Sequence, residues 1–151
     1  MNSISGRKLY SLVPDLELFG HIALGKLSTT DASNLTFVCW PNGAPCFLAN
    51  LYMISLTVRP TRRRRNGLSR RGSKGGTIGE YAQKISQLIR YCFEAKVDFI
   101  EMSDDDFTRF ISKLGLEADP QNLREKKKAT LTVTEVGTIC LDFLRFVGGF
   151  Y

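Results

Sequence analysis

The stretch TIGEYAQKISQLIRYCFEA, residues 77–95, carries the clearest helical pattern in the chain. Its apolar residues recur at intervals of three and four, as they do in a helix that buries one face. These residues are Ile78, Tyr81, Ala82, Ile85, Leu88, Ile89, Cys92 and Phe93. Thr77 and Glu80 have the spacing of a capping box, which predicts that the helix starts here. We therefore expect an amphipathic helix against which the other elements pack.

A strongly basic segment, residues 59–76 (RPTRRRRNGLSRRGSKGG), leads directly into this helix. It contains eight cations and no acidic residue, within a chain of 151 residues and net charge +6. Its Gly, Ser and Arg content predicts a flexible loop, and its charge favours a polyanionic partner. The candidate phosphate-contacting residues are Arg62, Arg63, Arg64, Arg65, Arg70, Arg71 and Lys74.

The residues before the basic segment predict a hairpin and a short helix. Residues 35–48 (LTFVCWPNGAPCFL) are typical of a β-hairpin, and residues 49–58 of a helix with Asn50 as its N-cap. The hairpin turn can form in two ways. A two-residue turn at Asn42 and Gly43 would place Cys39 opposite Cys46, whereas a type I turn centred on Pro41 and Asn42 would separate the cysteines. The fixed φ of proline favours the second. Residues 1–34 do not distinguish strand from helix.

Two further helices are expected after residue 95. Ser103 and Asp106 have N-cap and N3 spacing, and Gly115 is placed to end that helix. Residues 116–128 are expected to be a polar loop whose last residues include Lys126, Lys127 and Lys128. Thr132 and Glu135 predict the start of the last helix by a second capping box. Both basic clusters would then precede helix N-termini, whose N–H groups also bind phosphate.

These elements predict a mainly α protein, in which a small helical bundle follows an N-terminal β-hairpin extension. The expected organisation is an extension over residues 1–58, a basic loop over 59–76 and a helical domain over 77–151. With 43% apolar residues, the chain has enough hydrophobic material for a core. No apolar run approaches the roughly 18 residues of a membrane-spanning helix, and no export signal is recognisable, which predicts a cytoplasmic protein.

The sequence contains no recognisable catalytic or metal-binding pattern. Its four cysteines form no CxxC pair, and His21 is the single histidine. Phosphate-loop, serine-hydrolase and zinc-protease motifs are absent from the sequence. Asp104, Asp105 and Asp106 are better explained by helix capping than by metal binding, because consecutive helical residues point in different directions. We therefore expect no metal, cofactor or small-molecule ligand.

The order of the three helical segments resembles the core-binding domain of tyrosine recombinases, the phage-integrase family. Residues 77–95 are similar to its T-x-x-x-Y first helix, through Thr77, Tyr81 and Ile85. The second motif is matched by Ser103, Asp106, Phe107, Phe110 and Ile111. The third is matched by Thr132, Val133, Val136, Ile139, Phe143, Phe146 and Val147. The sequence departs from the family at Thr134 and Glu135, where Asn and Arg are common.

This resemblance implies a DNA-binding portion of a site-specific recombinase that clamps duplex DNA together with other protomers. It implies that Thr77, Gln83, Lys84 and Gln87 on the first helix lie toward DNA. On the third helix it implies the same for Thr132, Thr134 and Thr138. The family's catalytic Arg, His and Tyr residues lie in a separate C-terminal domain, so this chain is expected not to be an enzyme by itself. A bacterial, nucleoid-associated location follows from the same resemblance.

Two other functions are compatible with the sequence. The chain would be a standalone helical protein-interaction module if the basic segment serves only solubility. It would be an RNA-binding module if the cations contact RNA instead of DNA.

Overall fold

A computed structural model of the chain describes residues 8–23, 26–59, 67–72, 74–117 and 123–149, without the side chains of 18–23, 26–30, 117 and 123–131. Four helices and two small antiparallel sheets make the described chain mainly helical, as the sequence predicted. The chain divides into two compact units, Met1–Gln83 and Lys84–Tyr151, and the division falls inside a helix. Within the described ranges, no helix combines the length and the apolar character needed to cross a membrane.

The first unit contains both sheets. Strand β1 (Tyr10–Val13) pairs antiparallel with β4 (Leu35–Val38), with Tyr10 opposite Val38. Strands β2 (Glu17–Ala23) and β3 (Lys26–Asp31) form a hairpin inserted in sequence between them. β4 therefore does pair with another strand, but its partner is residues 10–13 and not the residues that follow it. The β-branched and apolar residues of β1 and β4 suit this half-buried pairing.

The turn after β4 has the geometry that proline favours. The Gly43 N–H donates to the Trp40 carbonyl at 2.9 Å, and Gly43 has a φ of 91°. Pro41 and Asn42 thus occupy the centre of the turn, and Cys39 lies opposite Pro45. This confirms the second of the two predicted turns. The predicted hairpin over residues 35–48 is wrong beyond the turn, because only one bridge forms before the chain becomes helical.

Helix α1 (Phe47–Leu56) begins earlier than predicted, and Cys46 occupies the N-cap position. The prediction of Asn50 as the N-cap is wrong, because its side chain bonds to β4 instead. The Val38 N–H donates to Asn50 Oδ1 at 2.8 Å, and Asn50 Nδ2 donates to the Val38 carbonyl at 3.0 Å. Asn50 therefore satisfies both backbone groups of one residue, as a neighbouring strand would. Tyr52, Met53 and Leu56 are buried residues of the same helix.

Helix α2 (Gly76–Ala95) confirms the predicted amphipathic helix. Ile78, Ala82 and Ile85 are among the buried positions of its apolar stripe. The predicted Thr77 capping box is wrong, because Thr77 lies within the first turn and the Ile78 N–H donates to the Ser69 carbonyl at 3.0 Å. At the other end Lys96 has a φ of 57°, and the Val97 N–H donates to the Cys92 carbonyl. This is the Schellman arrangement that terminates many helices.

Helix α3 (Asp104–Glu117) starts as predicted. The Asp106 N–H donates to Ser103 Oγ at 3.1 Å, and the Ser103 N–H donates to Asp106 Oδ2 at 3.0 Å. These reciprocal bonds are the predicted capping box. The prediction that Gly115 ends the helix is wrong, since α3 continues to Glu117. A single helical glycine costs only about 1 kcal/mol, so it does not by itself end a helix.

Helix α4 (Leu123–Gly148) is much longer than predicted. The predicted loop over residues 116–128 and the capping box at Thr132 and Glu135 are both wrong, because residues 123–131 already belong to the helix. Lys, Glu, Arg and Ala have high helix propensity, so a charged segment of this composition continues a helix readily. The second basic cluster therefore lies inside α4 and does not precede its N-terminus.

The second unit has an aromatic core between its helices. Phe99 meets Phe143 edge-on with ring centroids 5.1 Å apart, and Tyr91 lies 5.4 Å from Phe110. Cys140 is fully buried, and its thiol donates to the Lys84 carbonyl at 3.7 Å. Burial raises the pKa of the Cys140 thiol above its ordinary range. The predicted core positions Ile85, Leu88 and Phe143 are fully buried, whereas Ile111 and Ile139 are half-buried.

Candidate nucleic-acid interface

The basic segment is described only in its C-terminal part. Arg62, Arg63, Arg64 and Arg65 lie outside the described residues, whereas Arg70, Arg71 and Lys74 lie within them. Lys126, Lys127 and Lys128 belong to α4, but their side chains are not described. The geometry of a candidate interface therefore rests on the cations of residues 67–74 and on what surrounds them.

Hydrogen bonds attach the described part of the basic segment to the first unit. The Leu68 N–H donates to the Leu56 carbonyl at 3.0 Å. Asn34 Nδ2 donates to the carbonyls of Arg70, at 3.2 Å, and Gly72, at 3.4 Å. These bonds involve the backbone of a segment whose composition predicted flexibility. They hold Arg71 and its neighbours at defined positions beside the sheet.

The guanidinium of Arg70 has a structural partner. Its Nη1 donates to the Asp31 carbonyl at 3.3 Å, so part of its donor capacity is used inside the unit. The side-chain hydroxyl and backbone N–H of Ser33 donate to the Asp31 carboxylate and lower its pKa. Of the predicted phosphate-contacting residues in this segment, Arg71 and Lys74 are exposed, and Arg70 is half-buried.

Arg71 and Lys74 open onto a cleft of about 460 Å³ within the first unit. One wall is β1 together with Lys8, and the other is the first two turns of α2. The residues that line the cleft are Lys8, Tyr10, Ser11, Leu12, Arg71, Gly72, Lys74, Gly76, Gly79, Glu80 and Gln83. The lining contains three cations, Lys8, Arg71 and Lys74, and one acid, Glu80, so it carries an excess of positive charge.

Glycines give the α2 wall its shape. Gly75 and Gly76 have φ values of 82° and 65°, in the left-handed region that glycine adopts without strain. Gly79 lies so close to the Lys74 carbonyl that a β-carbon at this position would collide with it. The loop and the helix can therefore approach closely, and Gly76 and Gly79 present backbone and no side chain to the cleft.

Thr36 lies behind the same glycines. Its side chain is fully buried, and no described residue offers its Oγ1 a hydrogen-bond partner. The hydroxyl oxygen is 3.0 Å from the position that a β-carbon on Gly75 would occupy, and 3.8 Å from the corresponding position on Gly79. A buried hydroxyl without a partner is unusual, because it costs about 1–3 kcal/mol.

The predicted DNA-facing residues of α2 differ in their surroundings. Gln83 is exposed and lines the cleft, whereas Gln87 is half-buried. Lys84 is paired with Glu135, with 3.2 Å between Nζ and Oε2, and only 21% of its side chain is exposed. The ammonium of Lys84 is thus already neutralised in part. This ion pair also engages the carboxylate that we expected to be held in a capping box.

The predicted residues of α4 lie on an exposed part of that helix. Thr132, Thr134 and Thr138 are all exposed, and Thr138 Oγ1 donates to the Thr134 carbonyl at 2.9 Å. Thr134 and Thr138 are one helical turn apart and share a face. These threonines belong to the second unit and are not part of the cleft.

The remaining candidate ligands form no metal site among the described residues. The side chain of His21 is outside this description. Cys39, Cys46, Cys92 and Cys140 form no disulfide, and burial raises the pKa of Cys46 to about 11. A thiol with such a pKa is almost entirely protonated near neutral pH and is a poor nucleophile.

Among the charged and aromatic residues of the cleft lining, sequence reasoning missed Lys8, Tyr10 and Glu80 as site residues. Lys8 Nζ lies 4.7 Å from the centre of the Tyr10 ring. Lys8 and Tyr10 are separated from the basic segment by most of the first unit's sequence, and no local pattern connects the two regions. The repeated glycines at 72, 75, 76 and 79 were the available signal, because such spacing often marks close backbone approach.

No protein-family model, curated protein or solved structure matches the chain. The resemblance of residues 77–147 to tyrosine recombinases therefore stays a prediction. Each of the three helical motifs in this resemblance begins with a hydroxyl residue. Ser103 caps a helix, whereas Thr77 and Thr132 lie inside helices.

Proposed function

We propose that the chain binds duplex DNA through phosphate contacts, as the DNA-binding N-terminal portion of a tyrosine recombinase. The observation that carries the proposal is the unbalanced charge of residues 59–76, which hold eight cations and no acid. In the described part of this segment, Arg71 and Lys74 are exposed on the first unit. Phosphate groups of a nucleic acid are the polyanionic partner that such a surface suits best.

The charge distribution supports this proposal beyond the cleft. The net charge of +6 is concentrated, since eight cations without an acid lie in residues 59–76. In the second unit, by contrast, Lys84, Arg109 and Lys113 are each paired with a carboxylate. Paired surface charges contribute little net attraction for DNA, whereas an unbalanced cluster raises both affinity and association rate.

The recombinase assignment rests on the order and spacing of the three helical motifs in residues 77–147. Exposed Thr134 and Thr138 on α4 remain its candidate base-facing residues. The ion pair of Lys84 with Glu135 reduces the contribution expected from Lys84. In this proposal catalysis belongs to a separate domain, and this chain supplies DNA affinity and orientation.

Fluorescence anisotropy with a labelled duplex tests the proposal. If about five phosphates are neutralised, log K should fall with log salt at a slope near −4 to −5. Replacing Arg62, Arg63, Arg64 and Arg65 with Ser should weaken binding to every duplex and flatten the slope. Salt-independent binding, or no binding at low salt, would refute the proposal.

Competition distinguishes the DNA assignment from its alternatives. We expect an unlabelled duplex to displace the labelled duplex more efficiently than an RNA hairpin of equal length. Preferential displacement by RNA would replace the proposal with RNA binding. The recombinase assignment is tested separately with duplexes taken from the ends of the mobile element that carries the gene. Equal affinity for these ends and for random duplexes would contradict it.

A further inference from the structure

We infer that the cleft between β1 and the first two turns of α2 is a phosphate site, which holds a backbone phosphate of the bound DNA between Lys8, Arg71 and Lys74. The inference rests on the proposed function, which it deepens by placing a specific contact in the first unit. The family resemblance had implied contacts on the polar faces of α2 and α4 only. Gln83 is the residue common to both surfaces.

The composition of the cleft lining favours a phosphate over other anions of similar size. An Arg guanidinium and two Lys ammonium groups supply several N–H donors that phosphate oxygens accept, and a phosphodiester offers two such oxygens. Glu80 on the α2 wall limits the excess charge, so the site should bind a phosphate reversibly.

The shape of the cleft favours close approach of a backbone. Gly76 and Gly79 add no side chain to the α2 wall, which also carries Glu80 and extends to Gln83. Polar backbone next to glycine is the usual surroundings of a bound phosphate, because no β-carbon keeps the ligand away. A volume of about 460 Å³ has room for a phosphate with its attached sugar.

The hydroxyl of Thr36 behind this wall is a buried polar group that no described residue satisfies. Thr36 Oγ1 is directed at Gly75 and Gly79 from the protein side.

Charge-neutralising variants test the site in the full chain. Replacing Lys8, Arg71 and Lys74 together with Gln should flatten the log–log salt slope for duplex binding by about 2 to 3. Glu80→Gln should act in the opposite direction and tighten binding up to about fivefold, because it removes the one acid of the lining. Lys96→Gln and Glu101→Gln, which change exposed charges of the second unit, are the matched controls and should leave both quantities unchanged.

Opposite effects of the two changes would support the site, and an unchanged slope in the triple variant would overturn it. The outcomes separate the inference from the proposed function. If wild-type protein binds no duplex, the proposed function fails. If it binds, and only the Ser replacement of residues 62–65 weakens binding, the cleft is not a contact and the proposed function stands.

Amide chemical shifts identify the source of the phosphate. Titration of the ¹⁵N-labelled chain with duplex should move the resonances of Gly72, Gly76 and Gly79. Inorganic phosphate and a nucleoside monophosphate should move the same resonances only at much higher concentration. Saturation by the mononucleotide at lower concentration than by duplex would assign the cleft to a phosphorylated small molecule and overturn the DNA contact.

Discussion

Replacement of Asn50 is the sharpest test of how the first unit is held together. Its amide bonds both backbone groups of Val38, at 2.8 Å and 3.0 Å, and Val38 is fully buried. Asn50→Ala removes both bonds. The Val38 carbonyl keeps the Cys46 N–H as a donor, at 3.0 Å, but the Val38 N–H loses its described acceptor. One buried donor is therefore left without a partner.

The expected cost follows from these two bonds. Each hydrogen bond contributes about 1 kcal/mol net, and a buried unsatisfied N–H adds about 1–3 kcal/mol. Because these terms overlap, we expect Asn50→Ala to lower the free energy of unfolding by about 2–4 kcal/mol. Asn42 provides a matched control, since its Oδ1 accepts the Ala44 N–H at 3.0 Å in an exposed turn. Asn42→Ala should cost less than about 1 kcal/mol, because water replaces an exposed bond.

Asn50→Asp adds a dependence on pH. The carboxylate can still accept the Val38 N–H, but when ionised it cannot donate to the Val38 carbonyl and repels it. The pKa of Asp at this position should therefore rise above its unfolded value of about 3.9. Relative to wild type, the variant should be least stable above this raised pKa and should recover as pH falls toward the unfolded value.

Urea unfolding followed by Trp40 fluorescence measures these effects. Trp40 is the single tryptophan and belongs to the first unit, so its signal reports on the unit that contains Asn50. A cost below about 1 kcal/mol for Asn50→Ala would show that the two bonds do not stabilise the unit as inferred here. A deficit of Asn50→Asp that does not change with pH would also refute the reasoning.

Three further predictions concern side chains elsewhere in the structure. Thr36→Val should leave the unfolding free energy unchanged or raise it, because an unpartnered hydroxyl is removed at nearly constant shape; a loss above about 1 kcal/mol in the same urea assay would contradict this. Phe143→Ala should cost about 3–5 kcal/mol in thermal or chemical unfolding, since a fully buried ring that contacts Phe99 is lost; a melting temperature unchanged within about 1 °C would contradict it. Hydrogen bonds from the Ser103 N–H and hydroxyl lower the pKa of Asp106. The stability that these bonds give the folded chain is therefore present above the ordinary carboxyl pKa and is lost as pH falls through the lowered value. The unfolding free energy of Ser103→Ala should accordingly depend less on pH in acid than that of wild type.

The helices were predictable where their signals are local. The stripe of α2 and the Ser103–Asp106 box of α3 depend on residues within one or two turns of each other, and both are confirmed. The same local reasoning failed at α4, where Thr132 and Glu135 have capping-box spacing inside a continuous helix. Spacing alone does not show whether the preceding residues are already helical, and the lysine-rich segment before Thr132 has the propensity to be so.

The sheets and the cleft were not predictable, because they depend on pairing between distant residues. β4 pairs with residues 10–13, and no turn signal links the two strands. Asn50 resembled a helix cap in sequence, but its amide bonds to a strand in the fold. The cleft has both Lys8 and Arg71 in its lining, and these residues are brought to the same unit by the β1–β4 pairing and by the bonds of Asn34 to the basic segment.

The bond between the Leu68 N–H and the Leu56 carbonyl has a consequence for how this protein can vary. It brings the two ends of the arginine-bearing stretch 58–67 together at one point of the first unit. Lengthening a stretch whose ends are already joined costs little, since each doubling of loop length adds only about 0.6 kcal/mol of closure entropy. The stretch is therefore a natural position for insertions or exchanged sequences. Related proteins could change the number of arginines there, and with it their attraction for a polyanion, without altering the fold.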